Sequence, residues 1–266
     1  SLLAHGSLGS ALQAAQRDPN TPRPSHTRSR AKAVIHLFMA GAPSQLDLFD
    51  FKPQLVKHDG TSIPPEIIKD QRYAFIQPDA KALAPRFGFK KHGQSGVEIA
   101  EILPNLGHVV DDLAFIKSVH TDQFNHSPAQ LFMQTGNPLL GYPSIGSWVT
   151  YGLGSESQDL PGFIVMTSVG RGGQSQPIAS RQWSAGFLPS RYQGVNFRGT
   201  GDPVLYLGRP NGITREQQRE LIDAVGALNG AQDRRVDDPE IATRISQYEM
   251  AFRMQSSVPE LMDLSD

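Results

Sequence analysis

Apolar residues fall into short runs that are separated by polar and glycine-rich stretches along most of the chain. Three of these runs predict strands, at Ala33–Met39, Leu113–Val119 and Gly162–Ser168. The first is nearly continuous in apolar residues, rich in β-branched side chains and ended by "AGAPS", which is typical of a buried parallel strand that runs into a loop.

Helical patterns lie between and after these strands. Pro104–Asp112 predicts an amphipathic helix, and a Ser-Pro start followed by apolar residues predicts a second helix that begins just after His126 and ends at Gly136. Ser144–Gly154 predicts a third helix, and the segments "TREQQRELIDAVGALNG" and "DPEIATRISQYEMAFRMQSS" predict two more near the end of the chain. Because strands and helices alternate, the predicted fold class is α/β, with a mainly parallel sheet flanked by helices.

Composition excludes several classes of function. The 266 residues are 38% hydrophobic, which suits a globular protein, and 25 basic residues against 26 acidic ones leave no excess charge for binding nucleic acid. No apolar run reaches the roughly 20 residues that a membrane-spanning helix needs, so we expect no stable membrane span. The absence of cysteine excludes disulfides, thiolate zinc sites and a cysteine nucleophile.

The first residues differ in character from the rest. "SLLAHGSLGSALQAAQ" is small, apolar and uncharged, and a linker rich in proline, serine and arginine follows it. This arrangement predicts that residues 1–31 are the end of an export signal and its linker, with an ordinary amphipathic helix as the alternative. Residues 32–266 would then belong to a single α/β domain, in an exported protein that is periplasmic or extracellular.

Two loops that follow predicted strands carry candidate chemistry. "HTDQFNH" supplies His120, Asp122 and His126, and "AGAPSQLDLFD" supplies Asp47 and Asp50. The carboxyl ends of parallel strands meet at one edge of a sheet, where ligands of α/β proteins bind. Imidazoles and carboxylates suit Zn²⁺ or a similar divalent ion, so Asp47, His120, Asp122 and His126 are candidate metal ligands. The alternative is an ordinary polar loop in which these side chains cap turns and a helix end.

Serine chemistry is a second possibility at the same loops. Ser44 and Ser127 each follow a predicted strand, so either could act as a nucleophile, and His126 could act in acid–base catalysis. Neither serine lies in the G-x-S-x-G turn of an α/β-hydrolase, which argues against that class.

Other candidates are a glycine-rich loop and the two tryptophans. "GRGGQS", which contains Arg171, has the glycines of an anion-binding loop but lacks the motifs of phosphate and dinucleotide sites. Trp148 lies in an apolar helical pattern and is predicted to be in the core. Trp183 lies in a loop and is predicted to be the more exposed of the two, where it could stack on a sugar.

A family resemblance enters at "AKAVIHLFMAGAPSQLDLFDFKP", "LPNLGHVVDDLAFIKSVHTDQFNHSPAQLFMQTG" and "YPSIGSWVTYGLGSESQDLPGFIVM". With these motifs the chain resembles an exported bacterial family known only as a domain of unknown function (number 1501), which is similar to the sulfatase and alkaline phosphatase superfamily. The resemblance implies export, often by the twin-arginine route. It also implies a divalent metal ion, of the zinc or calcium class, that helps to hydrolyse a sulfate or phosphate ester.

The chain departs from the sulfatase pattern at three points. The position of the sulfatase nucleophile falls on His126, the position of its arginine falls on Gln130, and the paired aspartates of the first strand fall on Ala40 and Gly41. These departures argue against a formylglycine sulfatase. The resemblance also implies later metal ligands that are not seen before Asp266, so we expect an incomplete, C-terminally truncated domain of this fold.

Two functions therefore remain open. The first is an exported metal-dependent hydrolase acting on sulfate or phosphate esters, small or polysaccharide, with Asp47, His120, Asp122 and His126 as ligands or acid–base groups. The second is a catalytically silent module on the same fold that binds a glycan or partner near Trp183 and Arg171.

Overall fold

The computed structural model describes residues 21–24, 27–28, 30–69, 79–168, 176–199, 201–205, 207–236 and 238–263. The chain divides into two compact units. One unit is His36–Gln130, and the other combines Leu131–Asp266 with Ser1–Ile35.

Short helices and one hairpin build the unit His36–Gln130. Proline stands at the first position of three of its helices, where the missing N–H costs nothing and the fixed φ favours the helical turn. In chain order its elements are α1 (Gln45–Leu48), α2 (Pro53–Lys57), α3 (Pro65–Ile68), β1 (Phe89–His92), β2 (Val97–Ala100), α4 (Pro104–Gly107), a 3₁₀ turn (Val110–Asp112) and the start of α5 (His126–Thr135).

The β1–β2 hairpin is closed by a carboxylate from the 3₁₀ turn. The strands are antiparallel, and Asp111 accepts hydrogen bonds from the backbone N–H groups of Gln94 (2.8 Å) and Ser95 (2.9 Å). These bonds hold the pKa of Asp111 below its usual value. Gly93 has a φ of 63°, and a Cβ there would lie 2.4 Å from Asp111 Oδ1, so the turn requires glycine.

The second unit contains longer helices and a parallel strand pair. Its elements are the end of α5, α6 (Ile145–Leu153), β3 (Ile164–Met166), 3₁₀ turns at Ser180–Trp183 and Ser190–Tyr192, β4 (Val195–Phe197), α7 (Arg215–Val236) and α8 (Pro239–Met262). β3 and β4 pair in parallel, with Ile164 opposite Val195. Phe197 of β4 packs with Met254 and Val258 of α8, and all three side chains are buried.

Polar contacts attach α8 to the Ser190–Tyr192 turn and to α7. Arg191 donates two hydrogen bonds, of 3.1 and 2.8 Å, to the hydroxyl of the fully buried Thr243. Arg219 of α7 donates to Glu249 of α8, with Nη1 2.8 Å from Oε2. This contact lowers the pKa of Glu249. The guanidinium of Arg219 also lies 5.0 Å from the ring centroid of Phe252.

The helix predictions are largely confirmed. α5 ends at Thr135, one residue before the predicted Gly136, and α6 lies between the predicted Ser144 and Gly154. Both C-terminal helices are present, although each extends further than predicted. The predicted helix Pro104–Asp112 is instead two short pieces, α4 and the 3₁₀ turn. Among the described residues, no helix combines the length and apolar character that crossing a membrane requires.

Two of the three strand predictions are corrected. Gly162–Ser168 contains β3, but Ala33–Met39 and Leu113–Val119 form no strand. Leu37 is 90% exposed and Ile116 is 73% exposed. A strand needs a hydrogen-bonding neighbour, and the described part of the chain contains only the β1–β2 and β3–β4 pairs as sheets. The large parallel sheet expected from the sequence stays a prediction.

Candidate functional site

The loop before α1 has an unusual backbone. Gly41 and Ala42 both have positive φ, of 85° and 62°. Ala42 is the one described non-glycine residue with such an angle, which costs a residue with a Cβ free energy and is often found at functional sites. The N–H of Ala42 donates to the carbonyl of Met39 at 3.0 Å, so the loop turns back on the end of the apolar run.

This turn leads directly to the first pair of predicted site residues. The hydroxyl of Ser44 donates to Asp47 Oδ2 at 2.7 Å, and the backbone N–H of Arg86 donates to Asp47 Oδ1 at 2.9 Å. The Arg86 N–H and then the Ser44 hydroxyl hold the pKa of Asp47 below its usual value. Ser44 thus uses its hydroxyl on the carboxylate rather than as a helix cap. Sequence reasoning missed Arg86, because a backbone N–H that lies 39 positions away leaves no signal in the sequence.

Asp50, from the same loop, forms ion pairs with two lysines. Its carboxylate lies 2.8 Å from the ammonium of Lys52 and 4.0 Å from that of Lys117. Both contacts are ion pairs near the surface, where such pairs contribute little stability. Asp50 is therefore neutralised locally by two cations that the sequence analysis did not assign to the site.

The second loop brings His120 and Asp122 together. His120 Nε2 lies 3.9 Å from Asp122 Oδ1, which is an ion-pair distance but is too long for a hydrogen bond. The side chains are 80% and 91% exposed. The pair lies in the loop that leads into α5, close in sequence to the N-terminus of that helix.

His126 and Ser127 are the first two residues of α5. The helix begins two residues before the predicted start at Pro128, and the N–H of Ala129 donates to the carbonyl of Asn125 at 3.1 Å. The His126 side chain is exposed, and Ser127 is half-buried. His126 is thus at a helix N-terminus, as predicted from the sequence.

The four predicted metal ligands are not gathered into one site. Within the ranges that the structure describes, no group of three or more His, Cys, Asp or Glu side chains is arranged to hold a metal ion. His120 and Asp122 form one pair, and Asp47 is engaged instead by Ser44 and Arg86. A protein zinc site uses at least three protein ligands, so this donor set does not fit a preformed metal centre.

The two tryptophans exchange the environments predicted for them. Trp148 is 43% exposed on α6, although its apolar surroundings in the sequence predicted a core position. Trp183, predicted to be the exposed one, is partly buried in a 3₁₀ turn. Arg171 and the "GRGGQS" loop lie outside the described residues, as do residues 1–20 of the predicted export signal and linker at 1–31.

Comparison with known proteins identifies a family but no activity. Searches of curated proteins and of solved structures gave no match. The family described as a protein of unknown function (DUF1501) matches residues 31–266, which include both loops, the whole unit His36–Gln130 and most of the other unit. The chain therefore belongs to the DUF1501 family of proteins of unknown function.

Proposed function

We propose that this chain is part of an exported hydrolase that acts on sulfate or phosphate esters and depends on a divalent metal ion. One observation carries the proposal: an imidazole and a carboxylate, His120 and Asp122, are exposed 3.9 Å apart in the loop that leads into α5. A helix N-terminus favours anions such as sulfate and phosphate groups. Export is supported by the small, apolar character of residues 1–16.

His120 and Asp122 would divide the chemistry between them. An ester anion would lie near the N-terminus of α5, where the helix dipole favours negative charge. His120 would take a proton from the attacking water and return it to the leaving oxygen. Asp122 would keep a carboxylate 3.9 Å from the imidazole during this transfer.

The proposed hydrolase would require a bound divalent metal ion for activity. His120 and Asp122 offer two donor atoms of suitable type, whereas a catalytic zinc ion uses about three protein ligands. A bound zinc ion would therefore need at least one further ligand besides His120 and Asp122. In related chemistry the ion polarises the ester oxygen.

The test compares hydrolysis of 4-nitrophenyl sulfate and 4-nitrophenyl phosphate by the wild-type chain and by His120→Ala and Asp122→Asn. Loss of the acid–base group should lower the rate by about 100-fold or more. His58→Ala and Asp112→Asn are matched controls, because both residues are exposed in the same unit outside the two loops. They should keep the wild-type rate. Absence of hydrolysis by the wild-type chain, or equal losses in the controls, would overturn the proposal.

Metal dependence is tested separately. Elemental analysis and chelator treatment should show a bound divalent ion that activity requires and that is reduced in His120→Ala, Asp122→Asn and His126→Ala. Full activity in a metal-free preparation would refute the metal requirement while leaving the hydrolase in place.

The second candidate is a catalytically silent module that binds a glycan or a partner. Its predicted centre at Trp183 is partly buried, so it is a poor surface for stacking. The observation that favours binding is instead the exposure of Trp148 on α6. Glycan binding without ester hydrolysis would select this candidate.

A further inference from the structure

Four exposed aromatic side chains form a connected surface in the unit that contains α6. We define the aromatic face as Tyr142, Trp148, Tyr151 and Phe187, whose exposed fractions are 41%, 43%, 38% and 64%. Ring centroids are 6.2 Å apart for Tyr142 and Phe187, and 5.8 Å apart for both Phe187–Trp148 and Trp148–Tyr151. All three contacts are edge-to-face, which is a favoured aromatic geometry. Large aromatic side chains left exposed together often mark a binding site.

The face is held by buried contacts beneath it. The hydroxyls of Ser144 and Ser147 are 3.0 Å apart, and Ser147 also donates to the carbonyl of Ser184 at 3.0 Å. The N–H of Ser144 donates to the same carbonyl at 2.9 Å. Both serines are buried at the start of α6, so these bonds fix the segment before Phe187 against the helix that carries Trp148. A face fixed before binding loses little conformational entropy when a ligand arrives.

A cation lies at one end of the aromatic face. The guanidinium of Arg23 is 5.4 Å from the ring centroid of Tyr151, and the N–H of Arg23 donates to the carbonyl of Leu153 at 3.0 Å. Arg23 is exposed, and no described acidic side chain forms an ion pair with it. Because a guanidinium over a ring keeps N–H donors directed outward, Arg23 can bind an oxyanion while it stays over Tyr151.

We propose that the aromatic face and Arg23 bind an anionic polysaccharide, one that carries sulfate or carboxylate groups. Sugar rings have an apolar C–H face that packs on aromatic rings, and Tyr142 and Tyr151 add hydroxyls that can pair with sugar hydroxyls. The charge of Arg23 complements an acidic substituent and selects against neutral sugars. The unit therefore holds a site that combines stacking with anion recognition.

This site deepens the proposed function, because it names an anionic polysaccharide as the substrate class. The claim that the bound glycan is a substrate rests on the proposed hydrolase, whereas the claim that it binds does not. Measurements of binding and of hydrolysis can therefore fail independently.

Binding is measured with dextran sulfate and with uncharged dextran of the same length. The chain has two tryptophans, so Trp183→Phe leaves Trp148 as the one tryptophan reporter. Dextran sulfate should change the Trp148 fluorescence saturably, and uncharged dextran should not. Equal responses to both polymers, or no response to dextran sulfate, would overturn the proposal.

Calorimetric titration with dextran sulfate then compares matched variants. Loss of one stacking ring or of the cation, in Phe187→Ala or Arg23→Ala, should weaken the affinity by about tenfold. Tyr248→Ala and Arg234→Ala remove an exposed ring and an exposed cation from α8 and α7, and should bind like wild type. Equal losses in the controls would overturn the proposal, as would preferential binding to phosphatidylglycerol vesicles. Self-association through Phe187 without dextran sulfate binding would overturn it too.

Hydrolysis separates the two proposals. If the substrate claim is right, Phe187→Ala should lower release of sulfate from a sulfated polysaccharide by a larger factor than it lowers 4-nitrophenyl sulfate hydrolysis. Binding by the wild-type chain with no hydrolysis of either ester would leave the glycan site intact and reject the hydrolase. Polysaccharide hydrolysis that is insensitive to Phe187→Ala would reject the substrate claim alone.

Discussion

Gly186 lies in the turn that brings Phe187 against Tyr142, and replacing it with alanine should destabilise the unit strongly. Its φ is 58°, and a Cβ built there would be 2.4 Å from both the nitrogen of Pro143 and the carbonyl carbon of Tyr142. A left-handed backbone costs a residue with a Cβ about 1–2 kcal/mol. Crowding against backbone atoms, which cannot rotate away, adds about 1–3 kcal/mol. Gly186→Ala should therefore lower the free energy of unfolding by about 2 kcal/mol or more.

Three other glycines separate these two costs. Gly212 has a φ of 84°, and an added Cβ would meet no heavy atom within 4 Å, so Gly212→Ala should carry the backbone cost alone. Gly146 is helical, but its Cβ would lie 2.4 Å from the ring of Phe163, so Gly146→Ala should carry crowding alone. Gly152→Ala, in the same helix with open space around it, should be neutral or stabilising.

Urea unfolding followed by circular dichroism gives the free energies, and thermal unfolding gives a second measure. A loss of about 2 kcal/mol corresponds to a fall of at least about 4 °C in the midpoint for a protein of this size. Gly186→Ala should also change the fluorescence of Trp148, because Phe187 contacts that ring. If Gly186→Ala and Gly212→Ala lost the same stability within about 0.5 kcal/mol, the crowding argument would be refuted.

Three further predictions concern the helices and the hairpin. Arg219 lowers the pKa of Glu249 below the usual 4.5. The ionised Glu249 therefore stabilises the folded state above pH 4.5, and this stabilisation is lost as the pH falls through the lowered pKa. At neutral pH, Glu249→Gln should therefore have a free energy of unfolding about 0.5–1 kcal/mol below that of wild type. The difference should disappear in acid, and a difference that does not change with pH would contradict this prediction. Asp111→Ala should speed hydrogen exchange of the Gln94 and Ser95 amides, which donate hydrogen bonds to Asp111, while exchange of the β1 amides should change less. Gly226→Ala should stabilise α7 by about 1 kcal/mol in urea unfolding, because the site is helical and open, and destabilisation there would contradict the open surroundings of this glycine.

The elements that were predicted correctly have local signals. Ser144 before α6, Gly154 after it and the Asp-Pro start of α8 act within a few residues, so a single sequence contains the information that positions them. At Asp238 the expected contact is present, because its side chain accepts the N–H of Glu240 at 3.0 Å. The ends of the two C-terminal helices are predicted less accurately, since both helices continue beyond the predicted stop.

The strands and the site depend on partners that lie far away in the sequence. The apolar run at Ala33–Met39 indicates a tendency to be buried, but burial as a strand needs neighbouring strands that the pattern of the run does not specify. Likewise, Asp47 and His126 each follow a predicted strand. The prediction that they lie close together assumed that these two strands are parallel neighbours in one sheet, and the described residues at Ala33–Met39 and Leu113–Val119 form no strand. The exposure of Trp148 was missed because α6 is apolar on most sides, so the sequence does not show which side is covered.

The hydrogen bonds from Arg191 to Thr243 have an evolutionary consequence. Thr243 is completely buried, and its hydroxyl accepts hydrogen bonds from two N–H groups of the Arg191 guanidinium. Replacing that hydroxyl by a methyl group would leave the guanidinium without this acceptor. An apolar residue at position 243 should be tolerated only after Arg191 has also changed. Among family members the two positions should therefore vary together, and a substitution accepted in one homologue should be harmful when it is transferred alone into another.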